Sequence, residues 1–313
     1  MLPFLARRLG FAVVTLFCVL TLVFVIVRIL PGDPVLVILG DQASPESAAA
    51  LRQRLGLDRP IAVQYGLFLL QAARGNLGTS MVSGRPVTDE ILSVLPYTLE
   101  LTVAALILGA ALGIPAGVWA AVRRNRLPDY VLRFLSLLGL SLPAFVAAII
   151  LLMVFAIQLR WFPVISAGGA DTLVERLRQM ALPTLALALI MMAYITRVTR
   201  SAMLEVLSQD FVRTARAKGA QPSAVIWHHA LGNCLIPITT VVGLYLGILI
   251  GNSVLTEIVF SRPGLGKLIL TALSQRDYTL LQGMIVVYTS LVVAVNLVTD
   301  LTYGVLDPRV QYR

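Results

Sequence analysis

Long apolar stretches without a single charged residue recur along the chain. A helix that crosses the hydrocarbon core of a bilayer needs about 20 predominantly apolar residues. Because lipid offers the backbone no hydrogen-bond partner, each such stretch must pair its own peptide groups as a helix. The pattern predicts an all-α, polytopic membrane protein with six spans. The uncharged stretches are residues 9–27, 101–122, 134–159, 179–196, 230–256 and 278–299.

Composition excludes a soluble fold. Hydrophobic residues make up 58% of the 313 residues and charged residues only 13%, whereas an average soluble domain is about 25% charged. The first apolar run, 9–27, is longer than the core of a signal peptide, and no small-x-small cleavage site follows it. We therefore expect it to remain as a membrane anchor.

The charge balance indicates which way the chain faces. The formal net charge is +9, which in a soluble protein would suggest nucleic acid as a partner. Here the basic residues form short clusters beside apolar spans, for example near Arg123 and Arg216, which is typical of a cytoplasmic membrane surface. The Lys and Arg of the long loop after the first span are left out of this comparison, because long loops cross the membrane regardless of their charge. The distribution of the remaining basic residues predicts that both termini are cytoplasmic. We do not expect the chain to bind nucleic acid.

The long segment after the first span is expected to form a small extracytoplasmic cap. A turn is indicated at Pro31-Gly32-Asp33-Pro34, and a helix is predicted from Glu46 to Leu55, with Ser44 as N-cap and Gly56 as its stop. Glycine-rich turns follow near Gly75 and Gly84. The predicted division is 1–30 for the N-terminus and first span, 31–96 for the cap and 97–313 for a five-helix core.

Two spans carry glycines at every fourth position, which places them on one helix face and allows another backbone to approach closely. Both ordinary packing within the chain and contact with a second subunit explain such stripes. The six glycines are Gly109, Gly113, Gly117, Gly243, Gly247 and Gly251. Prolines also fall in or at the ends of spans, where each can kink a helix: Pro115, Pro143, Pro183 and Pro237.

Few polar side chains lie near the apolar phase. Glu257, Asn252 and Asn296 are candidates for a solute pathway, since polar groups inside a membrane usually face a bundle interior or a cavity. Glu257 could meet an ammonium group of a solute. It sits at a span end, however, and could equally be in contact with water.

The segment between the fourth and fifth spans, about 205–235, has the pattern of a docking element. Residues up to Lys218 predict a helix, Gly219 can end it in the left-handed conformation, and Pro222 suits the first turn of a second short helix. Such a helix–turn–helix can dock into a groove on a partner; a solvated loop or a helix on the membrane surface is the alternative. The second helix is expected to present an apolar ridge of Val225, Ile226 and Trp227.

Motifs along the whole chain resemble the dipeptide, oligopeptide and nickel permease family of ATP-binding-cassette importers, and the 205–235 segment resembles its EAA coupling loop. The order of the motifs is more specific than any one of them. They are Arg7-Arg8-Leu9, Leu30-Pro31-Gly32-Asp33-Pro34, Leu55-Gly56-Leu57-Asp58-Arg59-Pro60, Leu95-Pro96-Tyr97-Thr98-Leu99-Glu100-Leu101, Leu140-Ser141-Leu142-Pro143, Asp210 through Gly219, His229-Ala230-Leu231-Gly232-Asn233, Pro263-Gly264-Leu265-Gly266, Arg276-Asp277-Tyr278 and Leu306-Asp307-Pro308-Arg309.

The resemblance implies a type I importer permease fold in the bacterial inner membrane. It also implies a second homologous permease, two cytoplasmic ATPase subunits and an extracytoplasmic solute-binding protein as partners. Ala215 and Gly219 match the second Ala and the Gly of the motif, whereas Arg213 and Thr214 stand where the wider superfamily has Glu and Ala. The predicted ATPase-coupling residues are Arg213, Thr214, Ala215, Ala217, Lys218, Gly219, Val225, Ile226, Trp227 and His229.

The chain is not expected to be an enzyme. Gly266-Lys267 is followed by Leu268 and lacks the spacing of a phosphate-binding loop, so ATP and Mg²⁺ are expected only on the partner subunits, with no cofactor or metal bound here. An ion-coupled secondary transporter, the alternative class, would usually need carboxylates within several spans. Within the family, dipeptide, oligopeptide, glutathione, opine and nickel remain open as solutes.

Overall fold

In the computed structural model, residues 2–29, 35, 39, 44–54, 56–166 and 172–306 are described. Their regular structure is helical apart from an isolated antiparallel bridge between Thr79 and Pro86. The helices are α1 Leu2–Ile29, α2 Pro45–Arg54, α3 Ile61–Ala73, α4 Val87–Val122, α5 Leu127–Ser141, α6 Ala144–Gln158, α7 Leu173–Leu207, α8 Asp210–Ala217, α9 Pro222–Val259, α10 Leu265–Ser274 and α11 Tyr278–Leu306.

The described helices provide five spans, or six if one bent pair of helices counts as a single broken span. Helices α1, α4, α7, α9 and α11 are each long and apolar enough to cross a membrane, and the pair α5 and α6 makes a sixth. This pair bends by 103°, so the prediction of one continuous helix over 134–159 is wrong. Leu142 adopts an extended conformation before Pro143, because proline disfavours the helical conformation in the residue that precedes it.

Three helices extend well beyond their predicted spans. Helix α4 begins at Val87, before the predicted start of the second span at residue 101 and within the segment predicted as the cap, 31–96. The fourth span lies within the 35 residues of α7, whose first turn is capped by the Thr172 side chain accepting from the Glu175 N–H. Helix α9 begins at Pro222 and passes through a π-helical turn at Val225–Ala230 before continuing to Val259. The separate short helix predicted after Gly219 is therefore wrong: it is the first part of the fifth span.

The helix predicted within the long segment after α1 is confirmed. Helix α2 begins at Pro45, and the Ser47 N–H donates to Ser44 Oγ at 3.1 Å. Gly56 follows the helix with a φ of 66°, a conformation that suits glycine. The turn predicted at Pro31–Pro34 lies outside the described residues.

The chain forms two compact units. One comprises Leu2–Pro96 and Gly264–Ala294, and its core contains Val87, Ile91, Leu265, Ala272, Leu280 and Met284. In this unit Asp277 is buried and accepts from Ser80 Oγ at 2.5 Å and from the Leu280 N–H at 3.0 Å, which caps the start of α11.

The other unit, Tyr97–Pro263 with Val295–Arg313, contains the 205–235 segment. Its buried side chains fall into clusters stacked along the helices. The cluster nearest the 205–235 segment, which we term the loop-end cluster, joins α4, α7, α8 and α9. Its members are Val118, Ala121, Met203, Val206, Val212, Val225, Ala230, Cys234 and Ile238.

Candidate functional site

Helix α8 ends in a tight, fully hydrogen-bonded turn at Gly219. The Gly219 N–H donates to the Arg216 carbonyl at 3.0 Å and the Ala220 N–H to the Ala215 carbonyl at 3.1 Å. This pair of bonds defines a Schellman cap. Gly219 has a φ of 81°, as the sequence predicted, because glycine lacks the Cβ that makes this conformation unfavourable.

Two valines attach this turn to the membrane-embedded helices. Val212 of α8 and Val225 of α9 are both buried in the loop-end cluster, where they pack with Met203 of α7 and Val118 of α4. Helix α8 thus shares one buried cluster with α4, α7 and α9. Val225 differs from the expectation of an apolar ridge, since it faces this core and is 1% exposed.

The remaining residues predicted for coupling lie at or near the surface of the segment. Trp227 is 50% exposed, and Ala215, Ile226 and His229 are half-buried. The sequence reasoning did not single out Phe211, a second exposed aromatic side chain of the segment. The available signal was its place beside the apolar Val212 in a predicted helix, because neighbouring residues on a helix do not face the same way. The exposed members of the predicted set are Arg213, Thr214, Ala217, Lys218, Gly219 and Trp227.

The first glycine stripe lies against α7 of the same chain. A Cβ added at Gly109 would lie 2.7 Å from Met191 Cβ, and one at Gly117 would lie 2.6 Å from Thr199 Cβ and 2.7 Å from a backbone oxygen. A Cβ added at Gly113 would lie 2.9 Å from Ile195 Cβ. Helices α4 and α7 thus approach to a distance that only glycine permits at these positions.

The second glycine stripe is packed at one end and open at the other. A Cβ added at Gly243 would lie 2.1 Å from Thr299 of α11, whereas Gly247 is half-buried and Gly251 is exposed. The Gly251 end of this face is thus open in the described chain.

The predicted pathway residues occupy different environments. Glu257 is completely buried, so it is not the water-exposed side chain that its place at a span end allowed. Asn252 is half-buried on the same helix, and Asn296 is exposed on α11. Of the three, Asn296 presents the most accessible polar side chain.

A cluster of charges near Glu257 was not predicted as a unit. Arg262, only 2% exposed, pairs with Glu100 at 2.9 Å, and Glu100 pairs with Arg176 at 2.7 Å. The Arg262 N–H also donates to the Glu257 carbonyl at 2.8 Å. Burial lowers the pKa of Arg262, while the charges of Glu100 and Glu257 oppose that shift. The cluster ties together α4, α7 and the end of α9.

A second ion pair lies toward the loop end and was also missed. Asp129 of α5 is fully buried and accepts from Arg200 of α7 through both oxygens, at 2.6 and 2.8 Å. The Asn125 N–H adds a bond of 2.9 Å to the same carboxylate. Since this bidentate geometry is the strong form of an ion pair, it fixes the start of α5 against α7.

Structural comparison shows the same fold in other transporters. The MetNI methionine ABC transporter, in inward-facing conformations, aligns with a TM-score of 0.57 at 17% identity, over 70% of this chain and 96% of that one. An amino acid ABC transporter crystallised with histidines aligns with a TM-score of 0.52 at 16% identity, over 69% of this chain and 94% of that one. The predicted importer-permease fold is confirmed.

Sequence comparison extends over the whole chain. It is 42% identical to the di/tripeptide transport system permease protein DppB of Pseudomonas aeruginosa and 41% identical to the dipeptide transport system permease protein DppB of Alkalihalophilus pseudofirmus. It is 40% identical to the glutathione transport system permease protein GsiC of Escherichia coli. Each alignment covers 100% of both chains.

Two family models divide the chain between them. The N-terminal model of binding-protein-dependent transport system membrane components matches residues 1–102. The model of the binding-protein-dependent transport system inner membrane component matches residues 113–312. The chain therefore belongs to the family of inner membrane components of binding-protein-dependent transport systems.

Proposed function

We propose that the chain is one membrane-spanning half of an ATP-driven importer for short peptides, with both termini in the cytoplasm. The observation that carries this proposal is the construction of the 205–235 segment. Its outer surface offers exposed basic and aromatic side chains to a partner, while Val212 and Val225 fix its inner surface to the core. A surface of this kind can receive mechanical work from a bound subunit.

The proposed partners in the cytoplasm are two ATPase subunits, one of which would bind this surface. Trp227 and Phe211 are suitable anchors, since large aromatic side chains that enter a pocket dominate the energy of many interfaces. Closure of the ATPases on ATP would displace α8 and α9 together and change the packing of α4 and α7 in the loop-end cluster. The pathway would thereby switch between outward and inward access.

The proposed solutes are di- and tripeptides or a closely related class. The relatives are named for di/tripeptides, dipeptides and glutathione, which share amide bonds and charged ends. We expect an extracytoplasmic solute-binding protein to select the solute and deliver it. A second, homologous permease subunit is expected to complete the pathway, with the open Gly251 end of α9 and Asn296 of α11 as the first positions to examine.

The test is reconstitution in liposomes of the chain with its permease partner, the two ATPases and the binding protein. Uptake of a labelled dipeptide should require internal ATP and should not respond to an ion gradient alone. Replacing Trp227 by Ala should reduce uptake and ATPase association at unchanged chain abundance. Trp161, another exposed tryptophan, which lies in the loop after α6, provides the matched control.

Uptake driven by an ion gradient without ATP would refute the importer proposal and favour a secondary transporter. An effect of Trp161→Ala that equals that of Trp227→Ala would refute the assignment of the coupling surface. The two failures are distinguishable because the first concerns the energy source and the second the site at which it acts.

A further inference from the structure

Two tyrosines and an arginine form a cluster where α7 meets α9. The rings of Tyr194 of α7 and Tyr245 of α9 lie with their centroids 4.0 Å apart. The Arg197 guanidinium lies over the Tyr194 ring, with its Cζ 5.9 Å from the ring centroid. Both tyrosines are half-buried and Arg197 is exposed. The coupling surface of the 205–235 segment includes none of these three residues, so the cluster calls for a role of its own.

The cluster belongs to one face of α7. Tyr194, Arg197 and Ser201 follow one another at intervals of three and four residues, a spacing that places side chains on one side of a helix. Each of the three is half-buried or exposed. Met191 and Ile195, on the side of α7 that packs on α4, are buried. In the described part of the chain the Tyr194 face of α7 is therefore accessible, with α9 along its edge.

A cavity of about 330 Å³ opens beside Arg197, and its lining also includes Arg133 of α5 and Arg200 of α7. The charge of Arg200 is matched by its bidentate pair with Asp129. Arg133 and Arg197 are both exposed, and the described lining contains no carboxylate. The cavity therefore carries a net positive charge that suits an anion. The planar fork of arginine matches the geometry of a carboxylate.

On α9 an amide side chain follows the tyrosine. Asn252 is half-buried and lies seven residues after Tyr245, which is about two turns of helix and brings both side chains to one side. Because α7 and α9 run in opposite directions on either side of the 205–235 segment, Arg197 and Asn252 lie at opposite ends of the tyrosine pair. Seven residues of a helix rise about 10 Å, which is close to the length of an extended tripeptide.

We propose that the Tyr194 face of α7, with the neighbouring edge of α9, is a subsite of the solute pathway that binds the carboxylate end of a short peptide. This inference rests on the proposed function as a peptide permease. Arg197 binds the carboxylate, the tyrosine pair packs against the peptide, and Asn252 receives the amino end. A free amino acid is too short to reach both Arg197 and Asn252, so the arrangement favours peptides of two or three residues.

The test measures peptide binding by the two permeases and two ATPases in phosphatidylcholine nanodiscs. The binding protein is left out so that it cannot select the peptide. The probe is alanyl-4-fluorophenylalanine, followed by fluorine NMR as the free acid and as the C-terminal amide. We expect the wild type to bind the free acid roughly tenfold more tightly than the amide, because a hydrogen bond to a charged group contributes about one such step. Arg197→Gln should bind both forms equally, and Arg197→Lys should keep part of the preference.

Two further variants separate recognition from folding. Arg7→Gln removes another exposed arginine that lies over an aromatic ring, 5.7 Å from the centroid of Phe11 in α1, and should keep the tenfold preference. Tyr245→Leu removes the aromatic surface that both forms share, so it should weaken the binding of both alike. The ratio of the two affinities is the decisive readout, because misfolding of a variant lowers the amount of binding without changing which form is preferred.

A preference for the free acid in Arg197→Gln equal to that of the wild type would overturn the proposal. Equal binding, or no binding, of the two forms by the wild type would overturn it as well. Loss of the wild-type preference in nanodiscs that contain phosphatidylglycerol would show that the face binds a lipid headgroup instead. Failure of the proposed function would appear separately, as the absence of ATP-dependent dipeptide uptake by the wild-type importer in liposomes.

Discussion

The conformation of Gly219 allows a test in which only the backbone is perturbed. Gly219 has a φ of 81°, and a Cβ added there would meet no atom within 4 Å. Any effect of Gly219→Ala or Gly219→Val must then come from the left-handed backbone conformation. This conformation costs an ordinary residue about 1–2 kcal/mol of free energy, and a β-branched residue adopts it only as an outlier. At about 1.4 kcal/mol per factor of ten, Ala would lower the population of the turn roughly fivefold and Val roughly 30-fold.

The assay is the number of dipeptides imported per ATP hydrolysed in liposomes that contain the complete importer. We expect this ratio to fall in the order Gly, Ala, Val, with membrane insertion unchanged because Val212 and Val225 still hold the segment to the core. Gly219→Asn should stay near the wild type, because Asn tolerates this conformation better than other residues.

Gly75 provides a matched control far from the segment in sequence. Its φ is 73° and a Cβ there would also meet no atom within 4 Å, so Gly75→Val carries the same backbone cost in a different turn. Full coupling in Gly219→Val, or an equal loss of coupling in Gly75→Val, would refute the reasoning that the turn at Gly219 transmits motion.

Three further changes test the packing of the helices. Gly117→Ala places a Cβ 2.6 Å from Thr199 of α7 and should lower the thermal unfolding midpoint and the yield of the purified chain. Gly66→Ala, whose Cβ would meet no atom within 4 Å, is the control and should be neutral. Equal unfolding midpoints of the two variants would contradict the close packing of α4 on α7. Asp129→Asn leaves Arg200 without its carboxylate and should lower the free energy of unfolding in denaturant by about 3 kcal/mol, the lower end for a broken buried pair. Arg200→Lys, which keeps the charge but loses the fork, should cost less. Asp277→Ala removes the cap of α11 and should cost about 1–2 kcal/mol, visible as faster hydrogen exchange in its first turn; unchanged exchange would contradict the capping role.

Features that depend on a single segment could be predicted from the sequence. The apolar runs identified the spans because the length of hydrocarbon to be crossed does not depend on neighbouring helices. Ser44 and Gly56 marked the ends of α2, and Gly219 marked the end of α8, because capping involves atoms within a few residues. The full lengths of α4, α7 and α9 were missed, since polar turns continue these helices beyond the apolar runs.

Features that depend on two distant segments could not be predicted. Asp129 and Arg200 are separated by 71 residues, and neither belongs to a motif that indicates which residue it pairs with. The same holds for Arg262 and Glu100, which are separated by 162 residues. Pro143 indicated a break, but the 103° bend also depends on how α5 and α6 each pack on the rest of the bundle.

The orientation of Val225 shows why three consecutive apolar residues could not form a ridge. Adjacent side chains on a helix point in different directions, so three consecutive residues cannot all lie along one ridge. Val225 enters the loop-end cluster and Trp227 faces outward, within one turn of a helix that continues without a break into the fifth span. An ATPase that binds Trp227 would therefore move Val225 and the core around it in the same displacement. Because Val225 is buried, docking at the surface would be converted into movement of the helices within the membrane.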